Sequence, residues 1–330
     1  MRYNPKDREP LLIENHQKKK LAEAGTLNLL LWNISYGGMP DKMDFFFSGG
    51  TQTQLKESLY RQNFSEILHQ IDLAKDSIDV FLFHKIDSSS KRSYLENQHQ
   101  KLKESLADFE SVFCLNYAVP FIPVPLNKPI GELHSGMLSM SKLASNKSTR
   151  IALENKKYYW PKNLFTAQKC MSVHSFPFIG KQLFVINVHL NSYDFKGEIR
   201  LSQLESISKF ADSLYQEGHF IIIGGGWNMN PPGFKKHQIS YGYKGHPIYP
   251  EIDQSAFFKD WLIAYDPEIP TSRSLHDAYR HGAINTSIKD FFICSPNVSL
   301  LEVKAIDQQF RWSDHHPVYL KVFLWSGEGL

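Results

Sequence analysis

Residues 313–317 read Ser-Asp-His-His-Pro and lead directly into the last apolar run of the chain, Pro317–Leu324. That run is short and rich in Val, Leu and Phe, which predicts a buried strand. The stretch therefore puts an acid, Asp314, and an imidazole, His315, at a strand end, where a rigid scaffold presents side chains to a cleft. Taken alone the pattern is weak, because Asp and His at a strand end are most often turn or structural residues.

Other polar residues recur at strand ends along the chain. Asn33 closes the first apolar run in Leu-Trp-Asn-Ile, and His189 closes another in Ile-Asn-Val-His. Asn228 follows Gly-Gly-Gly-Trp, whose third glycine is Gly226, and Asp290 opens Asp-Phe-Phe-Ile-Cys. A single residue of this kind indicates little, but together and in this order they predict one site assembled from several strand ends.

Apolar runs predict strands at the following ranges: Leu27–Ile34, Ile78–Phe83, Val112–Tyr117, Met137–Ser141, Leu183–Leu190, Phe220–Gly224, Phe291–Cys294 and Pro317–Leu324. Apolar residues at three- and four-residue spacing predict one helix through Leu55–Ile71 and another through Leu204–Leu214. Pro- and Gly-rich loops are predicted at Val119–Gly131 and Pro231–Pro250. Helices separate only some of the strands, which favours an α+β fold over a repeated βαβ array.

The composition is that of a globular protein. The 330 residues are 42% apolar and 22% charged, which excludes disordered, collagen-like and coiled-coil chains. The formal net charge of +3 is spread along the chain, so binding to nucleic acid is not implied. Three cysteines give no disulfide framework, and each is predicted to be a buried apolar residue.

The first 26 residues are polar, hold Lys18-Lys19-Lys20 and lack the apolar core of a signal peptide, so they predict a polar arm ahead of a single domain over residues 27–330. No apolar run approaches the roughly 18 residues of a membrane span. We expect a monomeric, cytoplasmic protein on this basis; an exported chain trimmed of its leader would have the same sequence features.

In order and spacing, the strand-end residues resemble the endonuclease/exonuclease/phosphatase superfamily, which has a fold like that of pancreatic deoxyribonuclease. The family's Trp-Asn strand falls on Trp32-Asn33, its Gln-Glu-x-Asp strand end on residues 84–87, and its Gly-Asp-[Phe/Trp]-Asn turn on residues 225–228. Its Ser-Asp-His-x-Pro block falls on residues 313–317, so the resemblance covers nearly the whole chain. It implies a four-layer sandwich, two mixed sheets packed face to face with helices outside.

The resemblance also implies roles. In active relatives a divalent metal assists hydrolysis of a phosphate ester. Carried over, Asn33 and Asp314 assist the metal, whereas the residues at the catalytic positions are His189, Asn228, Asp290 and His315.

Two positions depart from the family pattern. The Glu that is the main metal ligand is replaced by Lys85, and the Asp that orients the attacking water is replaced by Gly226. The first change adds two positive charges and the second adds one, so the site is about three units more positive than in an active relative. We therefore predict a catalytically impaired or inactive member, with no cofactor, that binds a phosphate-containing ligand or a protein partner in the cleft.

Alternatives remain at this point. Asp87, Glu57 or Glu132 would restore a carboxylate, and the protein would then be an active phosphodiesterase or phosphatase using Mg²⁺ or Mn²⁺. Lys85 itself would act as an electrostatic clamp on phosphate. A third hypothesis is a scaffold whose loops bind protein.

Specific contacts are expected as well. The Lys85 ammonium is predicted within about 4 Å of Asp314, the usual limit of an ion pair. His315 is predicted to pair with Asp290. Lys162 and Lys169, which flank Cys170, are interpreted as solvated lysines rather than as phosphate-facing ones.

Overall fold

The computed structural model describes residues 3–15, 25–155, 159–160, 162–192, 194, 196–234 and 250–325. Within them the strands are β1 (Arg8–Pro10), β2 (Gly25–Asn33), β3 (Val80–Asp87), β4 (Glu110–Ile122), β5 (Gly131–Ser141), β6 (Lys147–Ala152), β7 (Cys170–Phe178), β8 (Lys181–His189), β9 (Phe220–Gly226), β10 (Leu262–Ala264), β11 (Ser272–Arg273), β12 (Thr286–Ser287), β13 (Asp290–Cys294), β14 (Val298–Ala305) and β15 (Val318–Leu324). The α-helices are α1 (Glu57–Ala74), α2 (Gln98–Ser105) and α3 (Glu198–Gln216), and short 3-10 helices lie at Ser35–Gly37, Phe46–Ser48, Lys91–Ser93 and Lys162–Phe165.

Two large sheets organise these elements. One has six strands in the order β14-β15-β2-β3-β5-β4, and the other has seven in the order β1-β6-β7-β8-β9-β13-β10. Each sheet holds one parallel pair, β2 with β3 and β8 with β9, and a helix, α1 or α3, lies in the connection. Parallel neighbours need such a crossover, whereas the antiparallel strands around them are joined by shorter connections.

The strand β2 shows how the layers arise. Its side chains alternate between two buried faces. Leu29 and Leu31 pack between the sheets, whereas Leu30 and Trp32 pack toward α1. A strand buried on both faces needs an almost unbroken apolar sequence, which the run Leu-Leu-Leu-Trp provides.

The same division holds for the seven-stranded sheet. Its outer face packs against α3 through a core that includes Ile186, Ile223, Leu204 and Ile207. The order of layers is therefore helix, sheet, sheet, helix, and the predicted four-layer α+β sandwich is confirmed. No helix in the described ranges is long and apolar enough to cross a membrane.

Several predicted elements need adjustment. The two predicted helices are confirmed as α1 and α3, but α2, β6, β7, β10, β11, β12 and β14 were not predicted. The predicted loop Val119–Gly131 is partly wrong, because β4 continues to Ile122. A register shift between Val119 and Ile122 accommodates Pro120, which has no N–H for the ladder. Of the predicted loop at 231–250, residues 235–249 lie outside the described ranges.

The N-terminal stretch holds a strand, although the sequence predicted only a polar arm there. Arg8–Pro10 pairs with Thr149–Ile151 of β6 and forms one edge of the seven-stranded sheet. Farther on, Glu14 forms a bridge with Ser111 of β4, in the other sheet. This segment therefore contacts both sheets. All three cysteines are buried, as predicted.

Candidate active-site cleft

The strand ends bring the predicted site residues together. In the seven-stranded sheet, Gly226 of β9 pairs with His189 of β8 on one side and with Asp290 of β13 on the other. In the six-stranded sheet, Asn33 of β2 pairs with His84 of β3. The rings of His84 and His189 are stacked, with centroids 5.0 Å apart, so these ends of the two sheets face each other.

His315 is fixed between two carboxylates. Its Nδ1 lies 2.5 Å from Asp290 Oδ2, which confirms the predicted pair. Its Nε2 lies 3.7 Å from Asp314 Oδ2. The indole N–H of Trp32 donates to the His315 carbonyl at 3.1 Å, so the first strand also holds the backbone of this block in place.

Lys85 does not form the predicted direct pair with Asp314. Its Nζ donates instead to Ser35 Oγ at 3.2 Å, and the Ser35 hydroxyl donates in turn to Asp314 Oδ1. None of the carboxylates in the described part of the chain lies within 4.0 Å of Lys85 Nζ. The prediction was wrong because it did not include Ser35, whose hydroxyl occupies the position between the two charges.

The backbone around this hydroxyl is unusual. Lys85 has φ 55°, at a register shift in the pairing of β3 with β5, and Ser35 has φ 45°. Non-glycine residues in this left-handed region are uncommon and cluster at functional sites. The Ser35 N–H donates to Asn33 Oδ1 at 3.1 Å, so the amide oxygen predicted to assist a metal is already engaged.

Burial and charge act against each other at Lys85 and Asp314. Burial lowers the pKa of Lys85, and the nearby Asp314 carboxylate only partly opposes this. For Asp314, burial tends to raise the pKa, but Lys85, His315 and the hydrogen bond from Ser35 outweigh it and leave the pKa below its ordinary value. Asp314 is therefore held as a carboxylate by side chains of the protein itself.

Gly226 has no room for a side chain. A Cβ built on it would lie 2.9 Å from His189 Cδ2, 3.0 Å from His84 Nδ1 and 3.3 Å from Asp290 Oδ1. The resemblance puts a carboxylate at this position. In this chain that space is bounded by His189 of the same sheet and by the imidazole of His84, which reaches across from the other sheet.

The tautomer of His84 follows from its neighbour Asn187. The Asn187 amide nitrogen donates to Ser139 Oγ at 3.2 Å and toward the Leu138 carbonyl at 3.4 Å, so its Oδ1 faces His84 Nε2 at 2.7 Å. Nε2 must then carry the proton, and Nδ1 presents a lone pair toward Gly226. Within the described ranges Nδ1 has no partner. Burial lowers the pKa of His84 to about 4.

The other two predicted residues have partners of their own. Asn228 has φ 52°, and its amide donates to the Leu190 carbonyl at 3.0 Å, which holds the chain after β8 rather than pointing the N–H groups at a ligand. His189 is buried, and burial together with Lys169 and His84 keeps its pKa well below the ordinary value. His189 is thus neutral at neutral pH.

The carboxylates considered as replacements lie elsewhere. Asp87 is buried and receives two hydrogen bonds from Arg92, at 2.8 and 2.9 Å. Glu57 pairs with Arg61 on the exposed surface of α1, and Glu132 pairs with His134 at 3.5 Å. The described residues contain no group of three or more His, Cys, Asp or Glu side chains placed to hold a metal ion. Each of these three carboxylates is thus engaged by a basic side chain of the protein.

The predictions from the sequence missed or misjudged several residues around the candidate site. Lys169 is half-buried, and burial with the neighbouring Lys85 lowers its pKa to about 8, so the interpretation as a solvated lysine was wrong. The side chain of Lys162 lies outside what the structure describes. Ser35 stands only two residues after Asn33, and His84 directly precedes Lys85; proximity to predicted site residues was the available signal.

Comparisons with known proteins support the fold. No protein-family model and no curated protein matches the sequence. Among solved structures, an endonuclease/exonuclease/phosphatase from Beutenbergia cavernae is 16% identical, with a TM-score of 0.60 over 91% of this chain and 72% of that one.

Two further structures are similar over nearly their whole length. The human Nocturnin catalytic domain with bound sulfate is 14% identical, with a TM-score of 0.57 over 92% of this chain and 96% of that one. ANGEL2, a 2',3'-cyclic phosphatase in complex with adenosine-2',3'-vanadate, is 15% identical, with a TM-score of 0.55 over 97% and 99%. The chain has the fold of the endonuclease/exonuclease/phosphatase superfamily.

Proposed function

We propose that this chain is a catalytically impaired member of the superfamily and that it binds a phosphate-type anion in the cleft between Asp314 and His189. The observation that carries the proposal is the hydrogen-bonded chain from Lys85 through Ser35 to Asp314. It supports the proposal because it links an ammonium group to Asp314, a residue that the resemblance assigns to a divalent cation.

The residues present do not fit a metal. Mg²⁺ takes oxygen ligands with near-octahedral geometry. Here Asp314 Oδ1 accepts from Ser35 and Asn33 Oδ1 accepts from the Ser35 N–H. An ammonium about 4 Å from a divalent ion costs about 8 kcal/mol at an effective dielectric of 20, twice the value for two unit charges. That repulsion weakens a metal site in which Asp314 is the single carboxylate.

Activation of water is also impaired. Gly226 provides no carboxylate, and the His84 ring prevents one from being added without movement. With a pKa of about 4, His84 is a weak base near neutral pH. A nucleophilic water would therefore lack both the metal and the carboxylate that activate it in the family.

Binding of an anion remains favourable. Lys85, Lys169 and Lys289 interact electrostatically around the cleft, whereas Asp290 is engaged by His315. Removing an ammonium group from water is unfavourable, and an anionic ligand offsets that loss. The sulfate in Nocturnin and the vanadate ligand in ANGEL2 are anions of this chemical class. We therefore propose a phosphate group as the recognised part of the ligand.

Thermal melting in sodium phosphate, compared with sodium chloride at equal ionic strength, tests the binding. A ligand that binds only the folded state raises the melting temperature. We expect phosphate to raise it for the wild type but not for Lys85→Met. The matched control is Lys209→Met on the exposed surface of α3, which should retain the shift. No phosphate-dependent shift in the wild type would favour the protein-binding scaffold.

Turnover of bis(p-nitrophenyl) phosphate with Mg²⁺ or Mn²⁺ tests the impairment. We expect hydrolysis no faster than in a sample of Asp314→Asn protein purified in the same way. Metal-dependent hydrolysis that is abolished by Asp314→Asn would overturn the proposal and establish the active alternative.

A further inference from the structure

Two thiols from opposite sheets meet at the side of the sandwich. Cys114 lies on β4 of the six-stranded sheet, and Cys170 begins β7 of the seven-stranded sheet. Their sulfur atoms are 3.5 Å apart, and both residues are buried. A bond between them would join the two sheets covalently.

The separation of the two sulfur atoms is close to the separation in a disulfide bond. A disulfide has its sulfurs about 2.05 Å apart, so the atoms must approach by about 1.5 Å, a displacement of the size that side-chain rotation provides. The neighbouring side chains of the cluster are Met137 and Leu11, which contribute no competing thiol. The third cysteine, Cys294, lies on β13 in the core between the sheets.

Charge distinguishes the two thiols. The contact between the two thiols lowers the pKa of Cys170, and the nearby cations Arg150 and Lys169 add to this effect. The same contact and burial raise the pKa of Cys114 well above its ordinary value. Because the thiolate is the reactive form, Cys170 is the nucleophile of the pair and Cys114 is the thiol that resolves it.

The pair is covered by residues 3–15, which we name the N-terminal strap. The strap pairs with β6 in one sheet, and its Glu14 bridges to Ser111 in the other. Between these two attachments Leu11 packs on the cysteine pair, whereas the adjacent Leu12 is 75% exposed. Leu11 therefore separates the thiols from solvent.

We propose that Cys114 and Cys170 form a site of oxidative modification that takes a hydroperoxide and closes to a disulfide between the sheets. This inference is independent of the anion site. It rests on the contact of two thiols at the side of the sandwich, beneath the N-terminal strap.

The chemistry balances with one peroxide. The Cys170 thiolate attacks the O–O bond of hydrogen peroxide, forms a sulfenic acid and releases hydroxide, which takes up the proton lost by the Cys170 thiol. The Cys114 sulfur then attacks the Cys170 sulfur, so that the S–S bond forms and the S–O bond breaks. The second hydroxide takes the Cys114 proton. Two thiols and one hydrogen peroxide thus give one disulfide and two waters.

The full chain treated with hydrogen peroxide tests the proposal. We expect the intact protein to lose two hydrogen atoms in mass, peptide mapping to show Cys114 joined to Cys170, and the melting temperature to rise because a cross-link restricts the unfolded chain. Reduction with dithiothreitol should reverse all three changes. Oxidation confined to Cys294, or to sulfinic acid at Cys170 without a joined peptide, would overturn the proposal.

Variants separate the roles of the residues. Cys114→Ser should leave Cys170 as a sulfenic acid that dimedone captures, whereas Cys294→Ser should form the disulfide as the wild type does. Leu11→Ala should increase the rate of disulfide formation several-fold, and the matched control Leu12→Ala should leave it unchanged. Equal rates for these two leucine variants would show that the strap does not cover the site, and failure of Cys294→Ser to form the bond would contradict the assigned pair.

Discussion

His84 and Gly226 have complementary sizes across the two sheets: the imidazole of one lies against the bare backbone of the other. The His84 Nδ1 would be 3.0 Å from a Cβ on Gly226. The ring is held from its other side by Asn187 at 2.7 Å and stacks on His189. The absence of a side chain at Gly226 therefore leaves room for the imidazole at position 84.

A double-mutant cycle on this contact should show strong coupling. Gly226→Ala alone is expected to lower the free energy of unfolding by about 1–3 kcal/mol, because the new methyl group overpacks against buried rings. His84→Ala removes one of the two short contacts and leaves the one with His189, so Gly226→Ala should be less damaging, but still destabilising, in that background. Urea denaturation of the two single variants and the double variant measures the coupling; additive effects would mean that the two residues do not contact each other in solution.

The same contact changes the design of an active variant. The resemblance alone suggests that Lys85→Glu with Gly226→Asp would restore phosphodiesterase activity. His84→Gln would remove the 3.0 Å contact with the imidazole and restore the residue type of the family motif, while the 2.9 Å contact with His189 Cδ2 requires a small shift of that ring. We expect the triple variant to hydrolyse bis(p-nitrophenyl) phosphate with Mg²⁺ faster than the wild type and faster than the double variant.

Groups that act as a unit are not additive, so each single change should do little. Binding of Mg²⁺ measured by calorimetry is the accompanying control, since the triple variant should gain it. A double variant as active as the triple one would show that the His84 ring moves aside freely.

More of the fold than of the candidate site could be predicted from the sequence. The layers were predictable because strands such as β2 are apolar over nearly their whole length and meet polar residues at their ends. The pair of His315 with Asp290 was predictable because both residues match the family positions. The roles of Ser35 and His84 were not, since each depends on where a side chain reaches across the cleft. The strand β1 was missed because Arg8–Pro10 is too short and polar to show a period.

The loss of folding stability in acid should depend in part on His84. Its folded pKa of about 4 lies below the ordinary value of 6.5, so the unfolded chain binds a proton in this interval and the folded protein does not. Stability contributed by neutral His84 is therefore present above pH 6.5 and is lost as the pH falls toward 4. A shift of this size corresponds to about 3 kcal/mol.

His84→Gln should consequently flatten the slope of unfolding free energy between pH 6.5 and 4. The slope should not vanish, because burial also lowers the pKa of His174 to about 3 and that of His316 to about 4. Urea denaturation across this range, with His69→Gln as the control on α1, measures the difference. An unchanged slope in His84→Gln would mean that the imidazole protonates without penalty in the folded state.

The hydrogen bonds from Lys85 to Ser35 and from Ser35 to Asp314 should affect the ionisation of Asp314. Lys85→Met removes the cation and leaves the buried Asp314 with a hydrogen bond from Ser35 and His315 at 3.7 Å. Because burial disfavours the Lys85 ammonium more than Asp314 favours it, as the lowered pKa of Lys85 indicates, we expect Lys85→Met to be at least as stable as the wild type at neutral pH. The pKa of Asp314 is lowered in the folded wild type. The stability that ionised Asp314 contributes is therefore complete above the ordinary carboxyl pKa, and it is lost as the pH falls through the lower pKa of the folded protein. The stability of the wild type relative to Lys85→Met should therefore fall in acid, where protonated Asp314 no longer favours the buried ammonium, while exposed Lys209→Met stays within about 0.5 kcal/mol of the wild type throughout. Denaturation of the three proteins at neutral and acidic pH measures this, and a gap that does not change with pH would show that Lys85 contributes nothing to the ionisation of Asp314.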